Sequence, residues 1–221
     1  MSKSKNIISL IMNIIIFAAT VMVIVSIFVW HTDRLIKHSY ETFKFFTTDS
    51  NILSAVASLI VAIFQIRIIT GKAKEIPNWV VVLKYIAVTS VMVTFTTVML
   101  FLGPLYGYDF VLKGTSFYLH LALPLLALAS FWLFEPYCAI SKKQIHIAVL
   151  PMAIYGTVYL IQVLITGGWE DFYGFNTGGM WYVSIALMVI GTYALAIIIR
   201  LLHNHWVKRQ MRSNEQKEIK V

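Results

Sequence analysis

Phe45-Phe46-Thr47-Thr48-Asp49-Ser50-Asn51-Ile52 opens an apolar run that continues to Ile69, and the reading of this junction decides the fold. The run is close to the roughly 20 residues a helix needs to cross a bilayer, while hydrocarbon makes the polar groups at its mouth expensive. On a helix, Thr47, Ser50, Asn51, Ser54 and Ser58 fall at i, i+3, i+4, i+7 and i+11, all on one face. That face is predicted to point into protein, not lipid.

Outward from this junction the pattern repeats. The chain has 221 residues, 59% hydrophobic and only 13% charged, and its apolar residues form six blocks at 7–30, 52–69, 79–103, 118–134, 145–165 and 181–202. The gaps are too short for a soluble domain. The predicted architecture is an all-α polytopic membrane protein, a six-transmembrane-helix bundle over residues 1–202. A charged tail at 203–221 is expected to fray in solvent or lie on anionic lipid. The first block follows Lys3 and Lys5 as a signal peptide would, but it outruns an h-region and lacks a small-residue cleavage site, so it reads as a retained helix.

The net charge of +8 suggests nucleic acid until the basic residues are assigned to loops. The side bearing both termini holds Lys3, Lys5, Arg67, Lys72, Lys74, Lys142, Lys143, Arg200, Lys208, Arg209, Arg212, Lys217 and Lys220; the other holds Arg34, Lys37, Lys44 and Lys113, and Lys84 lies within the third span. The positive-inside rule then predicts a multi-pass protein of the cell membrane with both termini cytoplasmic. The implied partners are membrane lipids and a lipid-like small molecule, with no nucleic acid. Cys138 is alone, so it forms no intramolecular disulfide and is at most a palmitoylation site. There is no internal repeat or low-complexity segment.

With this topology Thr47 and His120 enter from the same side at similar depth, and His120 is read as the one histidine inside a span. A neutral imidazole costs less in a membrane than a carboxylate and takes a proton from a hydroxyl. The pair therefore suits a Thr47 nucleophile with His120 as base, and with the Asn51 amide or a free backbone N–H stabilising the oxyanion. Ser50 is the competing nucleophile. Asp49 either favours the helix dipole or orients His120 as a third member. Pro124 is expected to leave the His120 carbonyl free, and Pro151 that of Ile147. Tyr155, Tyr159 and Gln162 then line one face toward a cavity shared by the second, fourth and fifth spans. Glu135 reads as an interfacial charge, and Glu170 and Asp171 as part of an acidic aromatic loop rimming the cavity.

The bland readings are that membrane Ser and Thr serve packing, a lone histidine bonds across helices, and tyrosines sit at the interface. No G-x-S-x-G, H-E-x-x-H, Walker loop, dinucleotide fingerprint or paired-cysteine site occurs, which argues against rhomboid-like and zinc proteases. No cofactor is expected. A metal site from His31 and Asp33 with Glu41 or Asp49 has no specific spacing behind it.

Phe43-Lys44-Phe45-Phe46-Thr47 leading into a helix, with a histidine and then a proline in the fourth span, resembles the androgen-induced membrane hydrolases. That family includes the androgen-dependent regulator of tissue factor pathway inhibitor. The chain is also similar to bacterial six-span membrane proteins of unassigned function. The resemblance implies six passes and an intramembrane threonine and histidine, falling on Thr47 and His120, that hydrolyse fatty acid esters of hydroxy fatty acids. Leu150-Pro151 with Tyr155 resembles the start of the family's fifth span. Eukaryotic members carry an aspartate where Ser50 stands, and their histidine-to-proline spacing exceeds that of His120 to Pro124 by one residue. The expected function is thus an intramembrane Thr-His hydrolase of lipid esters. The alternative is a small polytopic binding or transport protein in which Asn51, Gln65, His120 and Gln162 pass a solute or proton. A polar face continuing from Thr47 through Gln65, with Asn13, would favour the latter.

Overall fold

Hydrocarbon offers no partner to a backbone N–H or C=O, so apolar blocks of this length must close their hydrogen bonds internally, and a helix does so within one segment. The computed structural model describes residues 3–30 and 38–218, and among them it is helical without a strand. Six helices are long and apolar enough to cross a membrane: α1 (Ser4–Trp30), α2 (Phe46–Ile69), α3 (Asn78–Tyr106), α4 (Thr115–Phe134), α5 (Lys142–Thr166) and α6 (Trp181–Arg212). The expected all-α six-helix bundle is the architecture found, that of a multi-pass membrane protein. The start of α1 and the end of α6 share one end of the bundle, and Thr47 and His120 lie at the other.

Helix α3 is the axis of the bundle. It packs against α2, α4, α5 and α6, and α1 closes the ring by bridging α2 and α4. Within the most apolar stretch of each helix, 56% of residues are buried in α3 but only 17% in α6, which presents most of its surface outward. Ile16, Val80, Val88, Val91 and Phe131 are sealed within the core between these helices. Hydroxyls inside the helices are largely spent on their own backbone: Thr20, Thr89, Ser90 and Thr96 donate to carbonyls four residues back at 2.8, 2.9, 2.9 and 2.7 Å.

Three prolines shape the helices that surround the site. Pro104, Pro124 and Pro136 each stand two residues beyond a wide π turn, at Val98–Leu102, Tyr118–Ala122 and Ser130–Phe134. In a π turn the N–H reaches five residues back: Gly103 bonds the Val98 carbonyl and Leu123 bonds that of Tyr118. One step further along each ladder stands a proline without an N–H, so the carbonyls left over are those of Met99 and Leu119. Both find a side chain instead. The Tyr108 hydroxyl donates to Met99 O at 2.8 Å, folding the short Tyr108–Val111 helix back over Gly103, where any Cβ would collide with the Tyr108 ring. The Asn51 amide donates to Leu119 O at 3.0 Å.

The helix that starts at Trp181 runs on to Glu218, so the expected boundary after residue 202 falls inside a continuous helix. His203 and Val207 are buried, and the Trp206 indole donates to Leu133 O at 3.0 Å, which ties this extension to α4. At the opposite end the 167–180 loop folds back over the bundle. Asp171 collects the Tyr159 hydroxyl and the Phe175 and Asn176 N–H groups at 2.7 to 2.9 Å. Phe172, Tyr173 and Phe175 pack around Tyr159. The acidic aromatic loop is therefore a roof, with Asp171 as its internal clasp.

Candidate functional site

Thr47 stands in the first turn of α2, where the chain enters from the extended Phe45. His120 stands in the wide turn of α4, and the extra residue in that turn, together with the Asn51 bond to Leu119, sets its direction. The two side chains meet with Thr47 Oγ1 3.4 Å from His120 Nε2. On the other side of the ring, Nδ1 lies 2.6 Å from the Val111 carbonyl. A carbonyl only accepts, so Nδ1 carries the hydrogen, and in the neutral ring Nε2 turns its lone pair toward the threonine hydroxyl. Both residues are half-buried, which leaves them reachable.

The structure redistributes the other expected roles. The group that meets His120 Nδ1 is the Val111 carbonyl and not Asp49, which is exposed at the wall of an open groove of about 390 Å³ beside Pro151, Ile154 and Val158 of α5. Ser50 is buried against α3, with Oγ 2.9 Å from that of Thr94 and donating to Thr47 O at 3.2 Å, so it faces away from His120. Asn51 spends its amide hydrogens on Thr47 O at 2.8 Å and Leu119 O at 3.0 Å. It ties the Thr47 turn to the turn that carries His120 and has no donor left for an oxyanion. The carbonyl released by Pro124 is that of Leu119 and not that of His120, since the π turn shifts the register by one.

The backbone alternative for the oxyanion survives. Thr47 N–H lies among the first-turn donors that a helix leaves unpaired, whereas its neighbour Phe46 donates to the Tyr173 hydroxyl at 3.2 Å. Thr47 and Tyr173 share a cavity of about 20 Å³, room for one water. Its walls come from α2, α3, α5, α6 and the roof, including Thr94, Tyr155 and Met188; the fourth span, expected as a wall, contributes none. Burial pushes the Tyr173 phenol up to about 12, against the pull of its hydrogen-bonding neighbours Tyr155, Phe46 N–H and Thr47. It stays a neutral donor beside the threonine.

Tyr155 reaches the cavity wall, but its hydroxyl is committed to Lys44 O at 2.6 Å. Tyr159 is fully buried under the roof and bonds Asp171. Gln162 leaves the shared face because α5 ends in a wide turn at Ile161–Thr166, and its side chain accepts from Thr166 at 3.0 Å. Of the loop metal alternative, His31 and Asp33 lie outside the described residues; Glu41 pairs with Lys44 at 3.6 Å.

A second polar cluster occupies the end that bears the termini. Lys84 of α3 and Glu135 at the end of α4 are 0% and 1% exposed, so Glu135 is no interfacial charge. Asn13 of α1 joins them, accepting from Lys84 Nζ at 2.8 Å and donating to Glu135 Oε1 at 2.7 Å. Lys84 also donates to Ser58 at 2.6 Å, and Ser9 and Ser130 both donate to Glu135 Oε1. Gln65 extends the network, donating to Ser9 Oγ at 2.5 Å and to the Tyr137 hydroxyl at 2.8 Å. Burial, with the Glu135 carboxylate beside it, holds the Tyr137 phenol well above its ordinary value. His203, read as following the last span, is fully buried near this cluster, with its ring stacked on Phe131 and Nε2 2.9 Å from Cys138 O.

No family model matches the chain, and no curated protein or solved structure matches it significantly.

Proposed function

We propose that Thr47 and His120 form the nucleophile and base of an intramembrane hydrolase acting on lipid esters. The observation that carries this reading is the hydrogen bond from His120 Nδ1 to the Val111 carbonyl, because it leaves Nε2 as an acceptor 3.4 Å from Thr47 Oγ1. Thr47 Oγ attacks the ester carbonyl carbon as its proton passes to Nε2. The oxyanion forms beside Thr47 N–H and the Tyr173 hydroxyl. Collapse expels the alcohol, which takes the proton from Nε2, and leaves an acyl-threonine. A water deprotonated by His120 then attacks the acyl carbon, and collapse releases the fatty acid while Thr47 Oγ leaves and takes the proton back from Nε2.

The substrate class follows from the setting. Both residues belong to spans whose outward faces are apolar, so a neutral ester with an acyl chain reaches them at lower cost than a charged solute. The ester bond of a hydroxy fatty acid ester meets this requirement. The lysine and arginine bias supports a cell-membrane protein with cytoplasmic termini and the Thr47 end on the opposite side.

The test is labelling of the detergent-purified chain with a fluorophosphonate probe. Native protein and Ser50→Ala are expected to label, whereas Thr47→Ala and His120→Ala are expected not to. A folded native chain that stays unlabelled and turns over no ester would favour the binding or transport alternative.

A further inference from the structure

Hydrolysis at Thr47 uses none of Asn13, Ser58, Gln65, Lys84 or Glu135, yet the bundle holds two ionisable side chains out of solvent among them. Intramembrane ionisable groups are rare and costly, and proton relays are among the roles they mark. Two observations join this cluster to the far end. Thr47, Asn51, Ser54, Ser58 and Gln65 fall at i, i+4, i+7, i+11 and i+18 of α2, on one face. At 1.5 Å per residue the stripe rises about 27 Å, close to the thickness of a hydrocarbon core. On that same face Asn51 Oδ1, Ser54 Oγ and Gln65 Oε1 are buried without a protein partner. Native proteins leave few such acceptors, and each needs a donor. A water at each position would supply it.

We propose that this stripe is a proton path through the bundle, with His120 at one end and the Lys84, Asn13 and Glu135 centre at the other. Lys84 and Glu135 act as one unit. Ammonium with carboxylate and amine with carboxylic acid are both neutral overall, so neither form leaves a net charge buried. A proton arriving on Glu135 turns the carboxylate into the acid and removes the counter-charge of Lys84. Lys84 then releases a proton at Ser58, the oxygen it already touches at 2.6 Å. That proton continues past Ser54 and Asn51 to His120 Nε2. At rest Asn13 bridges the two groups, and the unit resets when the Lys84 amine swings from Ser58 to Glu135 and takes its proton. Only N–H and O–H bonds form and break, with water carrying the proton between the unpartnered oxygens. The titratable groups facing Glu135 are Lys84 from α3, Tyr137 from the loop after α4 and His203 from α6.

The experiment uses the full chain in liposomes under an imposed pH gradient, with a pH-sensitive dye inside and potassium with valinomycin clamping the voltage. The native protein is expected to collapse the gradient faster than protein-free liposomes do. Glu135→Gln should return the decay to the protein-free rate, because the amide keeps an acceptor for Ser9, Asn13 and Ser130 but carries no exchangeable charge. Ser54→Val provides a second reading should that variant fold poorly: it removes a hydroxyl that bonds no protein group, and it should also abolish flux. A native decay equal to that of protein-free liposomes, or full flux in both variants, overturns the proposal. The assay contains no ester, so loss of flux and loss of hydrolysis are separate outcomes.

Discussion

The two polar clusters of this bundle hang on the same face of α2 and are built on opposite terms. At the Thr47 end both residues are half-buried, their side chains meet at 3.4 Å, and a cavity of water size lies beside the threonine. At the Glu135 end two ionisable groups are almost wholly enclosed, and their links to Asn13 and Ser58 are 2.6 to 2.8 Å. A hydroxyl that must react has to be under-bonded and reachable, whereas a charge in hydrocarbon has to be fully satisfied. The contrast predicts that damage to the open end costs chemistry at little cost in stability, and that damage to the closed end costs stability along with the proposed proton path.

The largest effect on stability is expected at the closed end. Glu135→Ala strips the counter-charge from Lys84 and leaves Ser9, Asn13 and Ser130 without their shared acceptor. Removing one partner of a buried pair costs about 3–5 kcal/mol, while replacing both by apolar residues is often neutral or stabilising. Unfolding in detergent should therefore show Glu135→Ala strongly destabilised and the double variant Lys84→Met with Glu135→Leu close to native. A destabilised double variant would mean that the cluster holds the fold by its hydrogen bonds and not by charge balance.

The open end should respond the other way. His120→Ala is expected to lower ester turnover by about 10²- to 10⁴-fold, the range for a general base. It should shift the unfolding midpoint little, since a net hydrogen bond contributes only about 0.5–1.5 kcal/mol. A large loss of stability with turnover retained would recast His120 as an interhelical tie and erase the contrast.

Asn51 lies where the two regimes meet. Asn51→Leu leaves the Leu119 carbonyl buried and unpaired, which costs about 1–3 kcal/mol, and it frees the wide turn that aims His120. Turnover should fall along with stability, and mainly through kcat, because the residue touches Thr47 O and Leu119 O and not the reacting atoms. Unchanged turnover in a destabilised Asn51→Leu protein would show that the wide turn holds its shape unaided.

How much of this was legible in the sequence depends on the range of the interaction. Six apolar blocks fix six helices because bilayer thickness sets their length. The face of α2 follows from helical periodicity, and the meeting of Thr47 with His120 from matching depth. The failures are long-range or turn on one residue of register. Pro124 marks an unpaired carbonyl, but the π turn moves it from His120 to Leu119. Glu135 before Pro136 looks interfacial until Ser9 and Asn13, more than a hundred residues away, are seen to enclose it. A signal was present there: Asn13, Gln65 and Lys84 inside apolar blocks are as costly as His120, and their cost asks for a common partner.

Ser50→Ala is expected to have the smallest effect and bears most directly on the choice of nucleophile. The hydroxyl of Ser50 is 2.9 Å from that of Thr94 and donates to Thr47 O, so its loss should cost about 0.5–1.5 kcal/mol, the usual worth of such a bond. Probe labelling and turnover should stay at native levels, because Thr47 retains His120 on one side and the cavity on the other. Ser50 lies only three residues from Thr47 on the same helix, and the packing of α3 against α2 sends the two hydroxyls to different neighbours. Labelling lost in Ser50→Ala and kept in Thr47→Ala would move the reactive hydroxyl to the α3 side. The meeting of Thr47 with His120 would then be a structural contact.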